Sequence, residues 1–277
     1  MRAHVLRRGY SPKTFESYWK WVEDFLRFSK KGETWVHPDE MGEAEVERYL
    51  THIAIRQNVS PTTQNLALQS ILFLYRNVLN RELQGISAVR SKRPRRVPTV
   101  LSQNEVGQLL GKLTCPTWLV ANLIYGSGLR IGEALAIRIK DIDFERKQLC
   151  VKSGKGNKDR VTCLPPSLFS DIRQQIERIK VIHRQDVEMN RNGVSLPYRF
   201  DKKAPGARLD VAWYYLFCSE NLSFDPNSKG PLLRHHIHSG HVNRVITKAA
   251  KSAGIMKRVT SHTVSYTHLT LPTTPYV

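Results

Sequence analysis

Three basic side chains, far apart along the chain, are the groups best suited to do chemistry. The run Tyr125-Gly126-Ser127-Gly128-Leu129-Arg130-Ile131-Gly132-Glu133-Ala134-Leu135 uses a turn of small residues to deliver one arginine, Arg130, at the mouth of an apolar helix. Further on, Gly154-Lys155-Gly156-Asn157-Lys158-Asp159-Arg160 reads as a hairpin loop that can hold an ammonium over a phosphate. Lys155 is the candidate there, with Lys158 a rival close by. Near the end His262 stands in Thr260-Ser261-His262-Thr263. Each signal is weak alone: a turn lysine or a capping histidine serves structure as readily as chemistry.

The charge of the whole chain says what these cations face. Its 277 residues carry 43 Lys+Arg against 24 Asp+Glu, a formal charge of +19. An excess of that size predicts a polyanionic partner, and nucleic acid comes first because every neutralised phosphate releases counterions. A hydrophobic fraction of 40% and five tryptophans describe a folded chain rather than a basic tail. Cys115, Cys150, Cys163 and Cys218 lie far apart with no C-x-x-C pair, so metal-ligand spacing is missing and a reduced intracellular compartment is expected. No apolar run reads as a signal peptide or a membrane span, which points to the cytoplasm and no membrane.

The elements that must position the three cations are mostly helical. Ser11 caps and Pro12 opens a first helix with Phe15, Tyr18, Trp19, Val22, Phe25 and Leu26 as its apolar stripe. A second carries Val46, Tyr49, Leu50 and Ile53; a third, opened by Ser60-Pro61, carries Leu68, Ile71, Leu72, Tyr75 and Leu79. Residues 89–98 hold Arg90, Lys92, Arg93, Arg95 and Arg96 with two prolines and no acid. That composition reads as an extended linker, either a solvated loop or a strap across a DNA backbone that lets two lobes close around a duplex. Ser102 and Glu105 then box a new helix. Two strands, 142–151 and 161–164, flank the lysine hairpin, and helices cover 166–189 and 239–254, the latter basic and amphipathic. Residues 192–234 read as irregular around an aromatic island, Trp213-Tyr214-Tyr215-Leu216-Phe217. The fold class is mainly α with a small β-hairpin or sheet (α+β).

The order Arg130, hairpin Lys155, His262 resembles the catalytic domain of the tyrosine recombinases, the phage integrase family. Leu72-Phe73-Leu74-Tyr75-Arg76, Lys92-Arg93-Pro94-Arg95-Arg96 and Lys140-Asp141-Ile142-Asp143-Phe144 narrow the resemblance to the integron integrases, over nearly everything from Leu6 to Thr263. It implies an N-terminal helical core-binding (SAM-like) domain at 1–88, a basic linker at 89–98 and a catalytic domain at 99–263. The implied activity is insertion and excision of gene cassettes through a 3′-phosphotyrosyl bond, without metal or ATP. Arg130 matches the first arginine gripping the phosphoryl oxygens, Lys155 the general acid and His262 the first residue of the H-x-x-R box. Glu133 matches an acid that orients its neighbours. Residues 192–238 resemble the insertion that grips extrahelical bases of folded single-stranded sites; Trp213 is placed to stack a base or to pack under a loop, with His235 and His236 flanking. Family members work on DNA as homotetramers.

The pattern breaks after Thr263. The box calls for arginine where Ser265 stands, and residues 264–277 lack helical periodicity and resemble a translated sequencing adapter. Tyr266 and Tyr276 are wrongly spaced for the nucleophile, so the expectation is a truncated chain that cannot cleave DNA. Two alternatives stay open: a recombinase of the phage or chromosome-dimer type, and a non-catalytic DNA-binding protein on the same clamp.

Overall fold

The structure, a computed structural model, describes residues 1–86, 98–152, 158–197, 200–224 and 230–270. The chain divides into two units, Met1–Arg96 and Val97–Val277. In the first, α1 (Arg2–Arg7), α2 (Pro12–Phe28), α3 (Glu43–Ile55) and α4 (Pro61–Asn77) surround one core. Ser11 and Ser60 accept the amides of Thr14 and Thr63, each beside a proline whose missing N–H costs nothing at a helix start. Val46, Tyr49, Leu50 and Ile53 of α3 meet Leu68, Ile71 and Tyr75 of α4 in that core. The expected stripe of α2 needs one correction. Trp21 enters the core with Val22 and Phe25, whereas Trp19 is exposed and stacks on Phe15 at 6.2 Å.

The second unit is built around α6 (Thr117–Ser127), buried on nearly all sides. Around it pack α5 (Gln103–Leu110), α7 (Ile131–Ala136), α10 (Ser239–Ser252) and α11 (Ser261–Thr270). Ser102 and Glu105 cap α5 reciprocally, at 2.7 and 3.2 Å. The core joins Leu123 and Ile124 of α6 to Leu109, Leu135, Ile172, Ile246 and Val264. Beside it lies an antiparallel sheet of β1 (Ile142–Asp143), β2 (Gln148–Val151) and β3 (Arg160–Cys163), with Leu149 opposite Thr162 and Val151 opposite Arg160. The single strand expected over 142–151 is thus two, separated by a turn in which Lys147 takes a φ of 55°. The long helix α8 (Phe169–Glu188) follows a 3-10 turn at Pro166–Leu168.

Two segments contradict the sequence-based expectation. The stretch 192–234 is largely ordered: it holds the short helix α9 (Phe200–Lys203) and β4 (Cys218–Phe224), which pairs antiparallel with β5 (Leu232–His236). Its strands carry Ser, Glu, Asn, Arg and His, so they lack the apolar alternation that betrays a strand. Residues 264–270 lie in α11. Their buried face is made of Thr263, Val264, Ser265 and Thr267 rather than leucines, hence the missing periodicity. Thr267 Oγ1 accepts the amide of Leu101 at 3.1 Å and donates to the carbonyl of Thr263 at 2.9 Å, which makes a buried hydroxyl tolerable.

Candidate active site

Arg130 stands at the seam between α6 and α7. Gly128 closes α6 in the left-handed region at a φ of 62°, and a side chain at Gly126 would meet Pro165 at 2.6 Å. A helix stop and a close approach therefore account for the small residues before the arginine. The amide of Arg130 donates to Glu133 Oε2 at 2.9 Å and its Nη1 to Oε1 at 3.0 Å. Arg160, from β3, donates Nη2 to Glu133 Oε2 at 2.7 Å. β3 is docked on the same turn, where Thr162 Oγ1 donates to the carbonyl of Ser127 at 2.8 Å.

One carboxylate therefore ties two guanidiniums. The Glu133 side chain is only 8% exposed, while Arg130 keeps 52% and Arg160 36%. Burial works against the charged carboxylate, but the Arg130 amide and the Arg160 and Arg130 guanidiniums outweigh it and hold Glu133 below the ordinary carboxylate range. A fixed guanidinium open to solvent is suited to phosphoryl oxygens, which it meets with paired, charge-assisted hydrogen bonds.

The other expected groups fall differently. Lys155 lies in 153–157, and Arg90, Lys92, Arg93, Arg95 and Arg96 lie in 87–97, all outside the described residues. Lys158 is exposed at the base of the hairpin, where Lys152 pairs with Asp159 at 2.9 Å. His262 is exposed on the first turn of α11, edge-on to Tyr266 with ring centroids 4.5 Å apart. Ser265, at the position of the box arginine, is buried and donates to the carbonyl of His262 at 2.9 Å. α11 and α7 both pack on α6, so Arg130 and His262 ride on two elements that share a neighbour. Among the described residues no hydrogen bond or ion pair joins them directly.

Trp213, His235 and His236 do come together, through Arg138. Its guanidinium is buried and donates to the carbonyls of Trp213 and Ser195 and to the Tyr215 hydroxyl. Ser195 Oγ meets His235 Nδ1 at 3.2 Å, and the Tyr215 ring meets that of His236 edge-on. The Trp213 ring already has Phe200 at 4.7 Å and Lys140 Nζ at 3.4 Å from its centroid, so in this structure it packs between Phe200 and Lys140. A second buried network pins β5 to α8. Arg234 forks onto Asp186, which also takes Arg191 at 2.9 Å and the Tyr214 hydroxyl at 3.2 Å.

Sequence reasoning passed over Arg160, although it ends the very loop that drew attention to Lys155. It also read 239–254 as a basic amphipathic helix without naming the cations of α10. His241, Arg244, Lys248 and Lys251 are exposed along one side of that helix, opposite buried Val242, Ile246, Ala249 and Ala250. Their spacing is a helical stripe of cations.

A helical module followed by a catalytic unit with a cation-bearing turn and hairpin is the plan of a DNA strand-exchange protein, and comparison with known proteins identifies the family. Residues 1–85 match the model of the phage integrase N-terminal SAM-like domain, and residues 99–270 that of the phage integrase family. An integrase/recombinase of Escherichia coli is 36% identical over 271 residues, 98% of this chain and 79% of the relative. The tyrosine recombinase XerA of Thermococcus kodakarensis is 31% identical over 174 residues, 61% of this chain and 57% of that protein. A lambda integrase tetramer bound to a Holliday junction superposes with a TM-score of 0.60 at 14% identity, covering 95% of this chain and 65% of that one. The Tn1549 transposon integrase, in complex with transposon right end DNA, gives 0.60 at 15%, covering 96% and 83%. The chain belongs to the phage integrase family of tyrosine recombinases, a class that performs site-specific DNA recombination. None of its described helices is long and apolar enough to cross a membrane.

Proposed function

We propose that the chain recognises a recombination site in bacterial cytoplasmic DNA, in the manner of an integron integrase, through a site whose intact chemistry is a metal- and ATP-independent 3′-phosphotyrosyl exchange. One observation carries this reading: a half-exposed Arg130 locked by buried Glu133 on the turn where the lysine hairpin is rooted. Arg130 grips the scissile phosphate, Lys155 protonates the leaving 5′-oxygen and His262 assists at the same phosphate. The cations of α10 and the linker arginines hold flanking phosphates, and partners assemble as a homotetramer on paired sites. Residues 192–238 contact extrahelical bases of a folded single strand. Trp213 offers a base a ring already supported by Phe200 once Lys140 moves onto a phosphate.

Ser265 leaves the site without the second arginine of the box, since a buried hydroxyl cannot replace a guanidinium at a charge-developing phosphate. This chain therefore binds without cleaving. For 264–277 we propose an adapter origin, based on serine standing where the box calls for arginine and on the resemblance of this stretch to a translated adapter; genomic sequence running on smoothly past the codon for Thr263 overturns it. The function is tested with a nicked suicide duplex and a folded single-stranded hairpin. Salt-sensitive binding to both, tighter to the hairpin and with no covalent adduct, is expected. An adduct overturns the loss of cleavage, a preference for duplex overturns the integron reading, and lack of binding overturns the whole assignment.

A further inference from the structure

We propose that Arg160 is a second phosphate-binding guanidinium, set beside Arg130 by their shared carboxylate. This rests on the reading of Arg130 as a phosphate ligand and adds to it a residue outside the Arg130, Lys155 and His262 set. Arg130 Nη1 holds Oε1 and Arg160 Nη2 holds Oε2 of Glu133, so the spacing of the two cations is set by the width of one carboxylate. Glu133 offsets only one of the two positive charges. Both guanidiniums remain substantially open to solvent, at 52% and 36% of their side-chain area.

The other deeply held arginines of this unit behave differently. Arg234, 3% exposed, spends its fork on Asp186 and its remaining amino group on the carbonyls of Ser219 and Glu220. Arg138 is likewise buried, its donors on two carbonyls and a hydroxyl. Among the described residues the Arg160 side chain bonds to Glu133 alone. It sits opposite Val151 at the root of the hairpin, on a strand docked to the turn that carries Arg130. A guanidinium so placed, with fork capacity left over, meets the same backbone that Arg130 meets. Two forks on one carboxylate make a cradle for phosphodiester oxygens.

The salt dependence of binding separates a phosphate contact from a strut. Each phosphate contact contributes a slope of about 0.9 to log K against log salt, read between about 50 and about 200 mM. With a fluorescent duplex oligonucleotide as probe and folding checked by thermal melting, Arg160→Gln is expected to lower the slope by about one. Arg130→Gln does the same, and the double variant lowers it by about two. Arg160→Lys keeps the slope while binding more weakly, because the charge survives and the fork does not. A wild-type slope in Arg160→Gln beside a reduced slope in Arg130→Gln overturns the proposal and leaves Arg160 a strut. Wild-type slopes in both overturn the underlying reading of Arg130 instead. Should Arg160→Gln fail to fold, phenylglyoxal modification of the native chain decides: duplex DNA is expected to protect Arg160 and Arg130 together. Undiminished modification of Arg160 in the presence of DNA overturns the proposal.

Discussion

Two carboxylates in the catalytic unit each bind two arginines, and their surroundings put them to opposite uses. Asp186 is fully buried, and its main partner Arg234 is only 3% exposed. With Tyr214 and Arg191 they form a knot that ties β5 to α8. Glu133 is nearly as buried, but both its arginines reach solvent. In the first cluster the main cation, Arg234, has spent its donors on the protein, with Arg191 at the rim 33% exposed; in the second, the carboxylate anchors two cations that both keep an outer edge in solvent. The same ion-pair chemistry is cement where the acid and its main partner are both sunk, and leaves cations open to solvent where only the acid is.

The largest effect expected from this contrast is at Asp186. Asp186→Ala leaves the Arg234 guanidinium buried without its counter-charge, which costs about 3–5 kcal/mol when one partner of a buried pair is removed. Urea denaturation checks this through a lower midpoint at unchanged m-value. A loss under about 1 kcal/mol would mean that water reaches Arg234 and that the two clusters are not different in kind.

Glu133→Gln tests the other side. Both arginines can turn to water, so the stability loss is smaller, about 1 kcal/mol. Its pH dependence has a definite sign. The folded-state pKa of Glu133 is depressed, by the Arg130 amide and the two guanidiniums against the opposing pull of burial. Its contribution is therefore fully present above the unfolded value, about 4.3, and is lost as pH falls through the lowered folded value. The stability gap between wild type and Glu133→Gln is expected to be widest above about pH 5 and to close below it. A gap that widens in acid would mean that Glu133 is held neutral and that the two-arginine geometry is wrong.

How much of this was legible in the sequence follows from how local each signal is. The turn before Arg130 was readable because Gly126 and Gly128 answer local demands, and the faces of α3 and α4 because four apolar residues recur at one helical spacing. The α2 stripe went astray at one residue because Trp19 and Trp21, two positions apart, flank the Val22–Phe25 line on opposite sides, and only packing chooses between them. The Asp186–Arg234 knot joins residues 48 apart, and the Thr267–Leu101 bond residues 166 apart. No periodicity reports such pairs. The buried face of α11 and the strands β4 and β5 were hidden for the same reason: polar residues satisfied by distant partners look like loop. Arg160 was in plain view, but its meaning depends on Glu133, which only the folding of β3 onto the α6 turn brings near.

The smallest expected effect lies where Trp213 meets Lys140. Lys140 Nζ sits over the Trp213 ring, close enough for a cation–π contact, yet the lysine is exposed, so water competes for its charge. Such contacts are worth about 0.5–1 kcal/mol at exposed sites, well below either carboxylate cluster. A double-mutant cycle with Lys140→Ala and Trp213→Leu isolates that coupling from the cost of truncating each side chain. A coupling in that range places the pair with the solvent-facing cations, ready to exchange the ring for an anion. A coupling above about 2 kcal/mol would require a desolvated contact. Lys140 would then belong with Arg234 among the spent cations, and Trp213 could not release it to receive a base.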